Sequence, residues 1–465
     1  MEVFFIMIIR KIVLFLSIIA SCVCLQGILK WNWSKINVTH VSFGKDFEWG
    51  VACSHFQAEG SHTADGVHIG NNWTQFFNIP LPVNACDHWN RFKEDIKLIA
   101  DLGVDAFRFS VSWEKIEPQQ GKFSEKALQH YDDVLNAMEC NKIKPYICLF
   151  HHTWPTWFKG FENKQACNDF FNYAVHVFKR YHKKVRFWLT FNEPVGYALK
   201  AYYLGEYPPG IKDFKRCGQA VYNMFDLHVR LYRAFKKIDP SVQVGFAKVL
   251  QPIDSYRSWH PIERIASSTF HHLLNEVALK FFRTGKFKWK LFGKGSIKRK
   301  NKNATGALDF LGINYYSNTM LHFHTFGRKK KWVTLESLAG RPTGDSGKGV
   351  YPEGLYRMLI RASKMLPHVP LYITEFGIAD KYDIKRNSFY KQHVYAIYKA
   401  LQAGVRIKGA HIWTWMDTNG WKMNALDTNN QACYGLYAID FNTQERTLRD
   451  GAKDMIYLMR HGHYC

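Results

Sequence analysis

Two short stretches carry the residue types that hydrolytic chemistry needs. Val185 to Leu189 is apolar except for Arg186. It runs through Thr190 and Phe191 into Asn192 and Glu193, and Pro194 stops it. Leu371-Tyr372-Ile373-Thr374-Glu375-Phe376-Gly377 repeats the design. Each reads as a buried parallel strand whose C-terminal tip presents a carboxyl group. Paired carboxyls across one pocket are the working parts of glycoside hydrolysis. One protonates the leaving oxygen and the other acts from the opposite face of the sugar. A separation of about 5 Å lets the second attack the anomeric carbon directly and gives retention. Arg108, near the end of an earlier apolar run, is placed to keep one carboxylate ionised, and Tyr316 to hydrogen-bond it. The proton donor needs a pKa raised by burial and by its like-charged partner. A lone Glu after a strand is ordinarily a helix cap or a surface charge. Two of them with matching flanks favour the catalytic reading.

The elements that must position these groups alternate along the chain. Strands are expected at Phe47 to Cys53, Ala106 to Val111, Pro145 to Phe150, before Glu193, Val242 to Ala247, Asp309 to Ile313, before Glu375, and Ile407 to Trp413. Between them, helical periodicity covers a stretch opened by Asp87 and stopped by Gly103, then Glu125 to Glu139, Cys167 to His182, Cys217 to Lys237 and Ser388 to Ala403. Eight such units with polar residues at nearly every strand end predict an α/β fold, a closed (β/α)₈ TIM barrel whose chemistry sits at the strand C-termini. No glycine-rich phosphate loop follows the first strand, which argues against a dinucleotide fold. With no Pro/Ser-rich linker and no repeat, residues 45–465 are expected to form one domain with loop insertions. Residues 25–44 are expected to be a polar connector.

Composition narrows the rest. The 465 residues carry a net charge of +24, and 47% are hydrophobic, ample for a large core. No helix-turn-helix, zinc-finger or RRM signature accompanies the charge, so it is read as a solvated basic surface rather than a nucleic-acid footprint. Between Lys286 and Lys302 eight of seventeen residues are Lys or Arg, and 328–331 adds four more. Both are expected in surface loops, solvated or docking to a phosphate-rich surface. Aromatics at 16% fit core packing and a ring-lined sugar pocket equally. Met7-Ile8-Ile9-Arg10-Lys11, followed by the apolar Ile12 to Ala20, reads as an export leader within residues 1–24, too short to span a membrane. Ile19-Ala20-Ser21-Cys22 allows either ordinary cleavage or a lipid on Cys22 that would attach the chain to a membrane. Ten cysteines show no metal-ligand spacing. Cys53 and Cys148 read as core thiols. If the chain is exported, its compartment permits one or two disulfides among Cys86, Cys140, Cys167, Cys217, Cys433 and Cys465. No metal and no cofactor is expected.

The motifs resemble those of glycoside hydrolase family 1, the β-glucosidase family, over nearly the whole chain after the leader. Thr190-Phe191-Asn192-Glu193-Pro194 matches that family's acid/base motif in full. Ile373-Thr374-Glu375-Phe376-Gly377 matches its nucleophile motif except that Phe376 stands where Asn is usual. Phe47 to Gly60, Phe107 to Trp113, Asn314-Tyr315-Tyr316 and Tyr351-Pro352-Glu353-Gly354 match as well. The resemblance implies Glu193 as general acid/base and Glu375 as nucleophile. It implies Asn192 on the sugar 2-hydroxyl, and Gln57 and His151 on hydroxyls 3 and 4. Asn314 and Tyr316 would orient the carboxyls. Trp413 would lie under the sugar ring, and Trp421 would donate to a hydroxyl.

Departures from the pattern bear on substrate. The stretch after the eighth strand reads Trp413-Thr414-Trp415-Met416-Asp417-Thr418-Asn419-Gly420-Trp421, so Gly420 replaces the Glu with which the family grips hydroxyls 4 and 6. Members that cleave 6-phosphoglycosides also lack that Glu and use a Ser, a Lys and a Tyr. Here Tyr434 is present, but Ala432 falls at the Lys position. His152 stands where the family usually has Trp. The expected activity is therefore retaining β-glycoside hydrolysis. The alternatives are a non-catalytic glycan- or protein-binding relative, a 6-phospho-β-glycosidase and a transglycosidase.

Overall fold

The eight apolar runs become eight parallel strands. The computed structural model describes residues 28–291, 293–324, 333–421 and 431–464. The leader with Cys22, the basic run 328–331 and Cys465 lie outside these residues. Strands β1 (Glu48–Ala52), β2 (Ala106–Ser110), β3 (Lys144–Cys148), β4 (Phe187–Asn192), β5 (Gln243–Val249), β6 (Phe310–Tyr315), β7 (Leu371–Phe376) and β8 (Ile407–Trp413) each pair with their neighbours in the sequence, and β8 closes on β1. The result is a (β/α)₈ barrel. Helices α1 (His88–Asp101), α2 (Glu125–Cys140), α3 (Ala166–Tyr181), α4 (Phe214–Ile238), α5 (Val277–Thr284), α6 (Pro352–Met365), α7 (Arg386–Gln402) and α8 (Lys453–His461) follow the strands in turn. The strands read as nearly continuous apolar runs because both faces are covered. The helices shield one face. The other fills the barrel with Ala106, Tyr146, Cys148, Leu189, Ala247, Phe310 and Tyr372.

Two expectations about local structure are corrected. The lysine-rich stretch is a β-hairpin, Lys286–Leu291 paired with Gly295–Lys300, not a loop. Its lysines alternate outward while Phe287 and Trp289 are buried, so the period is two. Trp289 stacks on Phe214, and a side chain at Gly218 of α4 would collide with its ring, at 2.3 Å. Asp87 does precede α1, but with a left-handed backbone and no side-chain cap. Its carboxylate accepts from Asn90 instead.

The connector is anchored at points along residues 28–44, where Val41 and Phe43 are buried. Trp31 meets Tyr395 of α7 edge-on at 5.4 Å, and its backbone N–H donates to Glu353 at 2.8 Å. The seven cysteines described, Cys53, Cys86, Cys140, Cys148, Cys167, Cys217 and Cys433, are all free thiols, so none of the permitted disulfides joins two of them. Six of them are buried in packed surroundings. Among the described residues no helix is long and apolar enough to cross a membrane.

Candidate active site

Both strands that carry a carboxyl change register just before delivering it. On β4, Leu189 lies opposite Gly245, but Asn192 lies opposite Ala247, so one extra residue is absorbed. Thr190 then bonds His228 of α4 behind the barrel, and Phe191 packs into the outer core. Asn192 is left at the mouth. On β7 the same irregularity falls between Ile373 and Glu375. Such irregularities re-aim side chains at functional sites. Phe376, the residue that departs from the family pattern, consequently turns into the core against Tyr390, and is absent from the lining of the cavity. Its substitution for Asn therefore alters packing behind the barrel. Gly377 follows, where any Cβ would lie 1.9 Å from the Trp413 carbonyl oxygen.

Glu193 takes a left-handed backbone (φ 47°) and starts the short helix Pro194–Ala198, its N–H donating to the Ala247 carbonyl. That conformation is unusual for a residue other than glycine, and here it turns the carboxyl over the barrel mouth. Asn314 donates to Glu193 at 2.9 Å and to Asn192 at 3.0 Å. Thr374 Oγ1 donates to the Asn314 carbonyl oxygen at 2.7 Å and so fixes which way that amide faces. Glu375 accepts from Arg108 at 2.5 Å on one oxygen and from the Tyr316 hydroxyl at 2.6 Å on the other. Arg108 also donates to Asn192 at 2.8 Å. Asn192 in turn offers its N–H to His151 Nε2 at 2.9 Å. His151 must therefore be neutral with its proton on Nδ1, a donor with no partner among the described residues.

The electrostatics follow from burial and neighbours. Burial raises the Glu375 pKa, Arg108 opposes that, and the like charge of Glu193 raises it further, with the Tyr316 hydrogen bond acting downward. Burial pushes the Tyr316 hydroxyl well above its usual value, so it remains a donor. Burial, then His152 and Arg108, hold His151 well below the ordinary imidazole range. His152, pulled to about 3 by burial and by Lys200, is neutral too. Its Nε2 lies 3.2 Å from the Asn192 carbonyl. Burial brings the Lys248 pKa down to about 7 against the opposing charges of Glu193 and Glu276, and its amine reaches the carbonyls of Leu274 and Val249.

All of this opens on one cavity of about 710 Å³. Gln57, His151, Asn192, Glu193, Tyr316, Glu375, Trp413 and Trp421 line it, while Arg108 and Asn314 support the lining groups from below. Gly420 lines it as well, and the Gln57 amide donates to the neighbouring Asn419 carbonyl at 2.7 Å. His152 sits between Tyr197, stacked at 4.9 Å, and Trp421 at 5.1 Å, closing the wall that the family fills with Trp. The outer wall is apolar: Leu199, Leu204, Val249, Ile253, Phe270, Leu274 and Leu321. Sequence reading did not single out Lys200, Lys248, Lys348 or Thr374. The doubled Thr before each carboxyl was the one visible signal for Thr374. The three lysines carry none: Lys200 and Lys348 reach the cavity from a helical turn and a loop after distant strands, and Lys248 is buried behind it on β5.

The arrangement can hold one carboxylate anionic through Arg108 and Tyr316. It sets a second, held by a neutral amide, over the same space. That is the equipment for protonating a leaving oxygen and attacking or stabilising an anomeric carbon. A family model described as glycosyl hydrolase family 1 matches residues 39–460. Beta-glucosidase A of Thermotoga maritima is 28% identical over 446 residues, covering 88% of this chain and 95% of its own. The 6-phospho-beta-galactosidase of Clostridium acetobutylicum is 28% identical over 461 residues, with the same coverages. Among solved structures, the beta-glycosidase from Pyrococcus horikoshii superposes with a TM-score of 0.80 at 28% identity, covering 91% of this chain and 96% of that one.

Proposed function

The chain belongs to glycosyl hydrolase family 1, and from that premise and the cavity's geometry we propose that it cleaves β-glycosides with retention, through a glycosyl ester on Glu375. The observation that carries this is the division of labour between the two carboxyls. Glu375 is tied to a buried guanidinium and a phenol, both donors, which favour the anion that attacks. Glu193 accepts only from the Asn314 amide among the described groups, a partner that tolerates the protonated form a general acid needs. As the aglycone leaves with the Glu193 proton, the bond between the anomeric carbon and Glu375 forms. Water, deprotonated by Glu193, then cleaves the ester. Asn192, oriented by Arg108, is placed beside the nucleophile for the sugar's 2-hydroxyl, and His151 Nδ1–H for a ring hydroxyl further on. A 2-fluoro β-glycoside with a good leaving group should add its glycosyl mass to the peptide bearing Glu375. Label on another carboxylate, or turnover without label, refutes the assignment.

The apolar outer wall supports a substrate with an alkyl or aryl aglycone, since each buried methylene contributes roughly 0.8 kcal/mol. On the glycone side Gly420 supplies no side chain to hydroxyls 4 and 6. A hydrogen bond to a charged group is worth about 1.5–3 kcal/mol. Gly420→Glu is therefore expected to raise kcat/KM for a plain aryl β-glucoside by roughly tenfold to a hundredfold. Unchanged or lower turnover would show that other groups already hold those hydroxyls. Lys348 favours a second reading. Its ammonium lies 4.2 Å from the Tyr316 ring centre and 5.8 Å from that of Tyr434, with no carboxylate in ion-pair reach among the described residues. Such a cation suits an anionic glycone. 6-Phospho-β-glycosides assayed beside the plain aryl β-glucoside, with Lys348→Met as the control, separate the two readings.

A further inference from the structure

One group of donor side chains lies outside the cavity and takes no part in this chemistry. Beside the barrel mouth the strand Thr319–Phe323 pairs antiparallel with Val333–Glu336. Leu321 faces Leu335, and His322 faces Thr334. Because side chains alternate across a strand, Leu321 and Leu335 share the face that lines the cavity. His322, Thr334 and Glu336 share the reverse face, and His324 follows His322 at the same period. One ligand atom from each of His322, His324 and Glu336 lies within 4.8 Å of the others.

The group is organised. His322 Nδ1 is 3.0 Å from a Glu336 oxygen. The Thr334 hydroxyl bridges, donating to Glu336 at 2.8 Å with His324 Nε2 also at 2.8 Å. The two imidazole centres are 4.2 Å apart, and Tyr256 stacks flat on His322 at 4.1 Å, which limits its rotation. All three ligand residues are half-buried, so an ion can enter from solvent without the side chains being free to disperse.

We propose that His322, His324 and Glu336 form a binding site for a divalent transition-metal ion, with Zn²⁺ the best match, that clamps the two strands forming part of the substrate cavity's wall. Two imidazole nitrogens and one carboxylate oxygen suit Zn²⁺, Ni²⁺ or Cu²⁺, whereas Mg²⁺ and Ca²⁺ want oxygen ligands. Zinc–nitrogen bonds of about 2.0–2.1 Å require the three donors to close by a small side-chain adjustment, in which His324 leaves the Thr334 hydroxyl. Three protein ligands leave a coordination position for water. The ion is far from the mechanism's needs: its role is to hold one strand against the other. The inference stands whether or not the glycosidase reading does.

The test is titration of the metal-stripped full chain with ZnCl₂ by calorimetry, with MgCl₂ as the negative arm. One Zn²⁺ per chain at micromolar affinity or better is expected, together with a rise of several degrees in melting temperature. His322→Ala and Glu336→Gln should each weaken that binding at least tenfold, while their melting temperatures in chelator match the parent's. Co²⁺ added to the parent should give visible absorption that both variants lose. No Zn²⁺ binding by the parent overturns the proposal. So does binding that survives both substitutions, which would place the ion elsewhere, for instance at His461 and His463. If His322→Ala melts early in chelator, the isosteric Glu336→Gln decides.

Discussion

Glu375→Ala is expected to reduce kcat for an aryl β-glycoside by about 10⁵-fold, the scale on which loss of a nucleophile ordinarily registers. The geometry makes the loss specific. Arg108 and Tyr316 both donate to this carboxylate, so everything that positions the anion ends on its two oxygens. Truncation leaves the Arg108 guanidinium, which is fully buried, with Asn192 and the Thr374 carbonyl but no counter-charge. Breaking one side of a buried pair costs roughly 3–5 kcal/mol. Stability must therefore be separated from chemistry. Glu375→Gln keeps an oxygen and the volume, should melt closer to the parent, and should be as inactive. In the Ala variant the vacated space admits a small anion such as azide, which would attack from the side the carboxylate used. The expected product is the α-glycosyl azide, with its configuration read by NMR. Residual hydrolysis within a hundredfold of the parent in both variants would move the nucleophile to another residue.

How far the sequence led can be judged from particular residues. All eight strands were visible because a parallel barrel strand, covered on both faces, is a compact apolar run. Their ends were less visible. β6 runs on through Tyr315, past the expected end at Ile313, because pairing to a neighbour, not hydrophobicity, decides where a strand stops. The hairpin over 286–300 was missed for a related reason: six lysines and an arginine hide a period of two whose buried half is little more than Phe287 and Trp289. At the site, residue types at strand ends could be read directly. Relations that depend on register could not. Nothing local announces that Thr374 fixes the Asn314 amide, that Arg108 and Asn192 together set the His151 tautomer, or that buried Lys248 feels the charge of Glu193. The meaning of Phe376 was also hidden. Only the irregularity in β7 shows that it faces the core while its neighbour Glu375 faces the cavity.

Glu193→Gln should separate substrates by their leaving groups. An alkyl β-glycoside needs a proton delivered to its oxygen, and a positioned general acid contributes roughly 10²–10⁴-fold. For such a substrate kcat should fall by about 10³-fold. A dinitrophenyl glycoside needs no proton to depart, so formation of the glycosyl ester should be little affected. Its breakdown, which uses Glu193 as base, should become limiting. The signature is a burst of dinitrophenol followed by slow turnover, and azide should relieve the slow phase with a product of retained configuration. The same variant tests the electrostatics. Glu193 is one of the causes that raise the Glu375 pKa, after burial and against Arg108. A neutral amide removes that like charge, so the Glu375 pKa should fall. Activity on the acid side requires Glu375 ionised, and it is lost as pH drops through that pKa. The acid limb of kcat/KM for the dinitrophenyl substrate should therefore move to lower pH. Equal losses for alkyl and dinitrophenyl substrates, or an acid limb that moves up, would mean that Glu193 does not share the anomeric centre with Glu375.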